Sequence, residues 1–471
     1  MTTTPVRARP PRHPDQDVRQ FADDPLRWFG GDREGMHRLP APELAALQLA
    51  ALRLRFTELA DRLLVVGALA HEQHIDAISA LDDAAPLLLP HTVYKSYPAS
   101  LLSQGRFDQL TRWISQLTTV DLDGLDTDGC DSVDAWLTLI DDRTRLRLAH
   151  SSGTSGTMSF VPHTAEQYSL LYEIVRQDTV PPGTPPDEPV HVVWPSYRSG
   201  RSGIARHATA MSEQLARHSA DHFHTLDPGH LSADLMLLAA RVMAASGRPG
   251  QVEIPAALRQ QRDHYLARCR SAPQDMRRFT ADLAEQLRGE RIVSLSLWET
   301  YYQWARAGLD QGIDGAFAPD SVLMPGGGTK GSALPRDWAA DVARFAGVPS
   351  VRLCYAMVEL IMLSLVCPAG AYHVEPWIVP YVLDPGTGKP LPRQGTVRGR
   401  AAFFDLTADV YWGGFVTGDH VAVDYGTCPC GRTTARVEPG ISRFEDDDKI
   451  TCAATPEALD DALEYLADAT L

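Results

Sequence analysis

Between His150 and Phe160 the chain reads HSSGTSGTMSF: six hydroxyl residues and two glycines in eleven positions, with no lysine. The preceding TRLRLAH is suited to a strand, so these residues stand where a turn presents backbone N–H groups to an anion. Such a nest binds phosphate without a lysine. The absence of G-K-[ST] argues against a P-loop nucleotidase. Taken alone, the stretch reads equally well as a Ser/Gly linker.

Two carboxylates add to this. In CYAMVE, Glu359 follows the strand-like SVRLC, which puts it at the carboxyl end of a strand, where open α/β sheets bind ligands. A carboxylate beside a triphosphate commonly holds Mg2+. In VTGDH, Asp419 follows a tight glycine turn and suits hydrogen bonds from ribose hydroxyls. Singly, Glu359 reads as a solvated acid and Asp419 as a turn residue.

The cysteines supply a second constellation. Cys367-x5-His373 with Cys428-x-Cys430 offers three thiolates and an imidazole, a set for tetrahedral zinc. With no open position, such a site is structural and not catalytic. Seven cysteines, an odd number in a long chain expected to be non-secreted, favour thiols or a metal over disulfides. Cys130, Cys269 and Cys354 read as ordinary buried or loop thiols.

The elements that must position these groups follow from composition and pattern. At 471 residues and 44% hydrophobic, the chain can bury a large core. Its net charge of −16 argues against nucleic-acid and anionic-membrane partners. No run approaches a membrane span; LLVVGALA, ending at Ala70, is the apolar end of an amphipathic helix. The first residues lack the apolar core of a signal peptide, so a cytoplasmic protein is expected.

The expected order is a disordered tail (1–20), a helical N-terminal region (21–145) and an α/β nucleotide-binding core (146–373). A β-rich, zinc-associated subdomain (374–440) and a short hinge-like remnant (441–471) follow. The α/β expectation rests on PVHVVW, RIVSLSL and SVLM, short apolar runs separated by helical stretches, as in a largely parallel sheet. After Val374 the strands are broken by Gly, Pro and Asp turns. The last segment holds one short helix, TPEALDDALEYLADA, capped by Thr455.

Taken in order, the nucleotide motifs resemble the adenylate-forming superfamily. Its phosphate loop, [ST]-[ST]-G-T-[ST]-G, is matched by Ser151, Ser152, Gly153, Thr154, Ser155 and Gly156. Its aromatic-to-glutamate motif resembles Tyr355 to Glu359, and its T-G-D motif matches Thr417 to Asp419. YAMVE, GGGTKG from Gly326 to Gly331, and CPCGR from Cys428 to Arg432 look most like the acyl-protein synthetases of bacterial bioluminescence. The phenylacetate–coenzyme A ligase group is next, and its zinc-bearing members carry similar ligands. The resemblance covers about Leu146 to Arg443.

The resemblance implies ATP-dependent activation of a small-molecule carboxylic acid to an acyl-adenylate, with release of pyrophosphate. An acceptor thiol, amine or carrier protein would then take the acyl group. ATP, Mg2+ and structural Zn2+ are the implied cofactors. Thr154, Ser155 and Thr157, with the amides of Gly153 and Gly156, would hold the leaving phosphates. Glu359 would place Mg2+, Asp419 would fix the ribose, and Tyr355 would stack on adenine. Gly327 and Gly328 would let the nucleotide approach the backbone.

ISRFEDDDKI resembles the superfamily's hinge, with Ser442 in place of Gly, Arg443 as the ribose-contacting arginine and Asp446 or Asp447 near the pivot. Only 28 residues follow Arg443, so the C-terminal domain of this superfamily is expected to be truncated or absent. Lys330 is then the first choice, ahead of Lys449, to replace that domain's lysine; a partner protein supplying the missing domain is the other solution. Cys452 is a possible acyl acceptor, although DDDKITCAA supplies more acid than base. His150, Trp194, Tyr197, Arg201 and His207 are candidates for the acyl pocket. The aromatic stretch PHTVYKSYP has no role in this reading. The competing class is a non-catalytic nucleotide-binding scaffold that retains the adenylating fold.

Overall fold

The computed structural model describes residues 14–151, 157–245, 256–327 and 334–443, together with 252, 254 and positions 459, 461–463, 465 and 466. A four-stranded parallel sheet runs in the order Phe223–Leu231, His191–Gly200, Ile292–Leu297, Val322–Gly326. Its two last strands are buried along their whole length. Such burial explains why they are spelled as continuous apolar runs and not as alternating ones. Helices Gly203–Gln214, Trp298–Leu309 and Trp338–Ala346 follow three of these strands and pack on the sheet's residues.

Two antiparallel hairpins flank this sheet. Leu146–His150 pairs with Phe160–Thr164, and Cys354–Met357 with Leu360–Leu365. The expected strand at SVRLC is displaced: residues 351–353 are irregular, and pairing starts at Cys354.

The β-rich part is a seven-stranded sheet centred on Gly414–Asp424. Thr396–Asp405 lies antiparallel beside it, followed by Ile378–Leu383. Leu89–Pro90, from the helical N-terminal region, joins in parallel, with Leu89 opposite Phe415. Ser442–Arg443 joins antiparallel, with Arg443 opposite Asp419. Helices Pro14–Asp23 and Ala41–Leu59 place Phe21, Leu52 and Phe56 in one core with Trp377, Val379 and Trp412 of this sheet. The described residues near 459–466 are helical; Ala462, Leu463 and Leu466 pack against Leu235 and Leu238. Among the described residues, no helix is long and apolar enough to cross a membrane.

Candidate active site

The phosphate-loop segment connects the two strands of the first hairpin. Its base is closed by Ser151 N–H donating to Ser159 O at 3.1 Å and by Ser159 N–H donating to Ser151 Oγ at 2.9 Å. His150 N–H donates to Arg201 O at 3.1 Å, which ties the loop's entry to the segment capped by Ser202. Thr157 lies on the return; Ser152, Gly153, Thr154, Ser155 and Gly156 lie outside the described residues. Gly327, at the end of strand Val322–Gly326, has φ +85°, a conformation glycine adopts without strain. Gly328 and Lys330 lie outside the described residues, as do Lys449 and Cys452.

Glu359 does not end a parallel strand. It occupies the two-residue turn, with Val358, between Met357 and Leu360 of the second hairpin. Gly203 fixes that turn against the sheet: a Cβ there would stand 2.3 Å from Val358 Cγ2. His163 Nε2 lies 2.6 Å from Val358 O and holds the turn from the other side. Burial pushes the Glu359 carboxyl above the usual range; Asp419 adds to this, while Arg443 and Lys95 oppose it.

Asp419 likewise does not follow a turn; it sits within the eleven-residue strand Gly414–Asp424. Tyr355 OH donates to its Oδ2 at 3.0 Å, and Arg443 Nη1 lies 2.9 Å from its Oδ1. The Tyr355 ring is buried beside Tyr372 and Phe403. Its hydroxyl thus holds Asp419.

The stretch from His91 to Pro98 gains a place. It forms a short 3-10 helix, His91–Lys95, and anchors itself through Tyr97 OH, which donates to Met158 O at 2.7 Å on the return of the phosphate hairpin. Lys95 thereby comes within electrostatic reach of Glu359. The signal that could have found it is the scarcity of lysine: the chain has only Lys95, Lys330, Lys389 and Lys449.

A pocket opens at the carboxyl ends of strands His191–Gly200 and Ile292–Leu297, lined by Trp194, Ser196, Tyr197, Ser296, Leu297 and Thr300 among others. Leu297 pairs with Gly326, so the pocket adjoins the glycine loop. Trp194 and Tyr197 are lining residues, as expected, and three other candidates are engaged elsewhere. His207 is buried, with Nδ1 2.7 Å from Tyr172 OH, and burial pushes its pKa down to about 4. Arg201 pairs with Asp141 at 2.8 Å, and His150 is fully buried behind the loop base.

No family model matches the chain. A phenylacetate–coenzyme A ligase of Thermus thermophilus is 39% identical over 82 residues, 16% of this chain and 17% of that relative. A solved 2-hydroxyisobutyryl-CoA ligase, in an open conformation with 2-HIB-AMP and CoA, superposes with a TM-score of 0.53 at 12% identity. The superposition covers 87% of this chain and 77% of that one. The same ligase in its thioesterification state gives 0.53 at 13% identity, over 87% and 70%. The chain has the fold of the adenylate-forming ligases.

On this adenylate-forming fold the sulfur ligands also converge. The ligand atoms of Cys367, His373, Cys428 and Cys430 all lie within 4.8 Å of one another. Cys367 Sγ is 3.9 Å from Cys428 Sγ, close to the roughly 3.8 Å between two thiolates around one zinc with ~2.3 Å bonds. His373 Nδ1 lies 3.2 Å from Thr434 O, which can only accept, so the proton belongs on Nδ1 and the Nε2 lone pair faces Cys430 Sγ at 3.2 Å. Three soft donors and one imidazole in this arrangement fit zinc.

Behind the cluster lies a buried network with no local signature in the sequence. Arg33 donates to Glu375 at 2.6 and 2.8 Å and to Asp178 at 2.9 Å. Burial alone would raise the Glu375 carboxyl, but Arg33 and His37 hold it down to about 2. Thr434 Oγ1 stands 2.8 Å from His37 Nδ1 and 3.1 Å from His373 Nδ1. The N-terminal segment therefore supports the His373 ring through one hydroxyl.

Proposed function

We propose that the protein activates a carboxylic acid with ATP and Mg2+, forming an acyl-adenylate and pyrophosphate, and then passes the acyl group to a thiol or amine. The observation that carries this is the convergence of Tyr355 and Arg443 on Asp419, with Glu359 within electrostatic reach of Asp419 and Arg443. A scaffold has no use for two half-buried carboxylates held this way, since taking charge out of water costs stability.

In the reaction an oxygen of the substrate carboxylate attacks the α-phosphorus. The bond from that phosphorus to the bridging oxygen breaks, and pyrophosphate leaves with the electron pair. The segment from Ser151 to Thr157 receives the leaving phosphates through amides and hydroxyls. Asp419 accepts from the ribose hydroxyls, with Arg443 beside it. Glu359, a half-buried oxygen donor, would suit Mg2+, which when bound neutralises charge on the triphosphate. Lys330 remains the first choice for a cation at the reacting carboxylate, and Lys95 is a second, supported by its reach to Glu359. The pocket behind Leu297 takes the acyl part. The CoA named with the solved structural relatives supports a thiol acceptor. The Cys367, His373, Cys428 and Cys430 set would hold zinc as a structural clamp.

The test is exchange of labelled pyrophosphate into ATP over a panel of acids. Exchange should require both an acid and Mg2+, and Glu359→Gln should reduce it by about two to three orders of magnitude. ATP binding without exchange for any acid would favour the scaffold reading.

A further inference from the structure

The strand that leads into the phosphate segment is held on both edges, and only one of them belongs to its hairpin. On the inner edge, Ser151 N–H donates to Ser159 O on the return. On the outer edge, Leu148 stands opposite Pro162, which has no N–H to give, and Arg206 meets its carbonyl: Nε and Nη2 donate to Leu148 O at 3.1 and 2.8 Å. Two residues on, His150 turns its N–H to the same edge and donates to Arg201 O. Both arginines share one carboxylate. Asp141, near the end of helix Val133–Arg143, accepts from Arg206 Nη1 and Nη2 at 2.9 and 2.7 Å and from Arg201 Nε at 2.8 Å. The side chains of Arg206 and Asp141 are 9% and 13% exposed. Taking such charges out of water offsets much of their attraction, so apolar residues of the same volume would serve stability as well. What apolar residues could not do is aim two donors at one carbonyl.

We propose that Asp141 is a positioning residue for triphosphate binding: through Arg206 and Arg201 it sets the direction in which the strand Leu146–His150 delivers the backbone of Ser151. The proposal rests on the reading of this hairpin as the phosphate site and adds to it a residue from a separate helix that touches no substrate. An anion nest works by the direction of its N–H groups, so a turn of the entering strand spoils it even when the residues of the nest are intact. Misplacement by about 1 Å from a distant change lowers a rate by as much as about 100-fold. Charge and position make opposite predictions here. Asp141→Asn removes one negative charge from beside two guanidiniums, so electrostatics alone would draw an anion more tightly. Loss of position loosens it, because an amide cannot accept the same fork and brings its own N–H groups against the arginine donors.

The experiment titrates the full chain with ATP and, separately, with AMP, which lacks the β- and γ-phosphates and serves as the internal control. In Asp141→Asn the Kd for ATP should rise about tenfold or more, while that for AMP changes by less than about twofold. Asp141→Glu, which keeps the carboxylate, should recover part of the ATP affinity. Arg206→Lys keeps the charge but replaces the fork by a point donor, and should repeat the selective loss. Circular dichroism reports whether each variant is folded. If Asp141→Asn is not, Arg201→Gln, which leaves the Arg206–Asp141 pair in place, should show a smaller loss of the same selective kind. Unchanged or tighter ATP binding in the folded variants overturns the proposal and leaves the nucleotide reading intact. So does an equal loss for ATP and AMP, which marks general damage to the fold. Absence of ATP binding in the unaltered protein overturns the nucleotide reading and with it this one.

Discussion

Arg443 reaches Asp419 across a strand pair, its Nη1 2.9 Å from Oδ1, while Tyr355 OH occupies Oδ2 from the opposite side at 3.0 Å. The carboxylate is thus held in a fixed orientation, and a ribose bound as proposed would meet an acceptor that has little freedom left to lose. Asp419→Ala should raise the Kd for ATP about tenfold or more, since hydrogen bonds to charged groups contribute ~1.5–3 kcal/mol. Tyr355→Phe removes one orienting hydroxyl and should raise it by less. Isothermal titration gives both values, and an unchanged Kd for Asp419→Ala would remove this residue from the nucleotide site.

The lysines can be ranked by rate. Lys330→Met should depress pyrophosphate exchange by about two to three orders of magnitude with little change in ATP affinity, as expected for a positioned charge at a developing oxyanion. Lys449→Met should do less. Lys95→Met removes the cation that opposes the raised pKa of Glu359, so it should lower exchange most at the acidic end of the pH range, where that carboxyl then protonates more readily. Near-normal exchange in all three variants would leave an arginine or a partner protein to supply the charge.

Metal analysis of protein purified without chelator should find one zinc per chain. Cys430→Ser should lose it, and a strong chelator should lower the melting temperature, because the binding free energy of such an ion is folding free energy. Thr434→Val keeps all four ligands but removes the hydroxyl between His37 and His373. Zinc affinity should fall by roughly 10–100-fold in chelator competition.

Arg33 offers a test free of nucleotide and metal. Glu375→Ala leaves its buried guanidinium with Asp178 as the remaining carboxylate partner, and loss of one member of a buried pair costs about 3–5 kcal/mol. Denaturant titration should show it. Replacement of both Arg33 and Glu375 by apolar residues should cost less than Glu375→Ala alone.

Asp134 and Asp234 cap each other's helices. Asp234 accepts from the N–H groups of Val133 and Asp134, and Asp134 accepts from Ala233 N–H and Ser232 OH. Burial, then the neighbouring Asp134 charge, raises the Asp234 pKa to about 7. In the unfolded chain the group titrates near 3.9. Between about pH 4 and 7 the folded state keeps a proton that the unfolded state has released, so this pair's contribution to stability falls as pH rises through that window. Buried histidines with lowered pKa, such as His150 and His207, add an opposite slope to both proteins, so the melting temperature of Asp234→Asn relative to the wild type should rise from pH 4 to 7. A slope identical to the wild type would show that Asp234 is already ionised in the fold.

The sequence made local chemistry legible and left long-range company hidden. RIVSLSL and SVLM announce buried parallel strands because both faces demand apolar residues. Glu359 and Asp419 are recognisable by their neighbours, but their mutual placement depends on registers, Met357 with Leu360 and Asp419 with Arg443, that no local spelling sets. The cluster of Cys367, His373, Cys428 and Cys430 is legible because cysteine and histidine spacing carries chemistry of its own. Arg33 is the opposite case: in REGM it reads as a surface charge, and its partner Glu375 is 342 residues away. Leu89–Pro90 is too short to show any period, so its place in the β-rich sheet is invisible until the sheet is seen.

That two-residue strand has a consequence for how the chain is made. Trp412 Nε1–H donates to Leu87 O, and Leu89 sits opposite Phe415, so the ledge on which the first helices rest is synthesised 325 residues after Leu87. At roughly 5–20 residues per second, a ribosome needs on the order of tens of seconds to deliver it. Throughout that interval Phe21, Leu52 and Phe56 have been translated but the sheet residues that cover them have not. Apolar surface waiting this long for its cover is the kind that aggregates unless it is shielded.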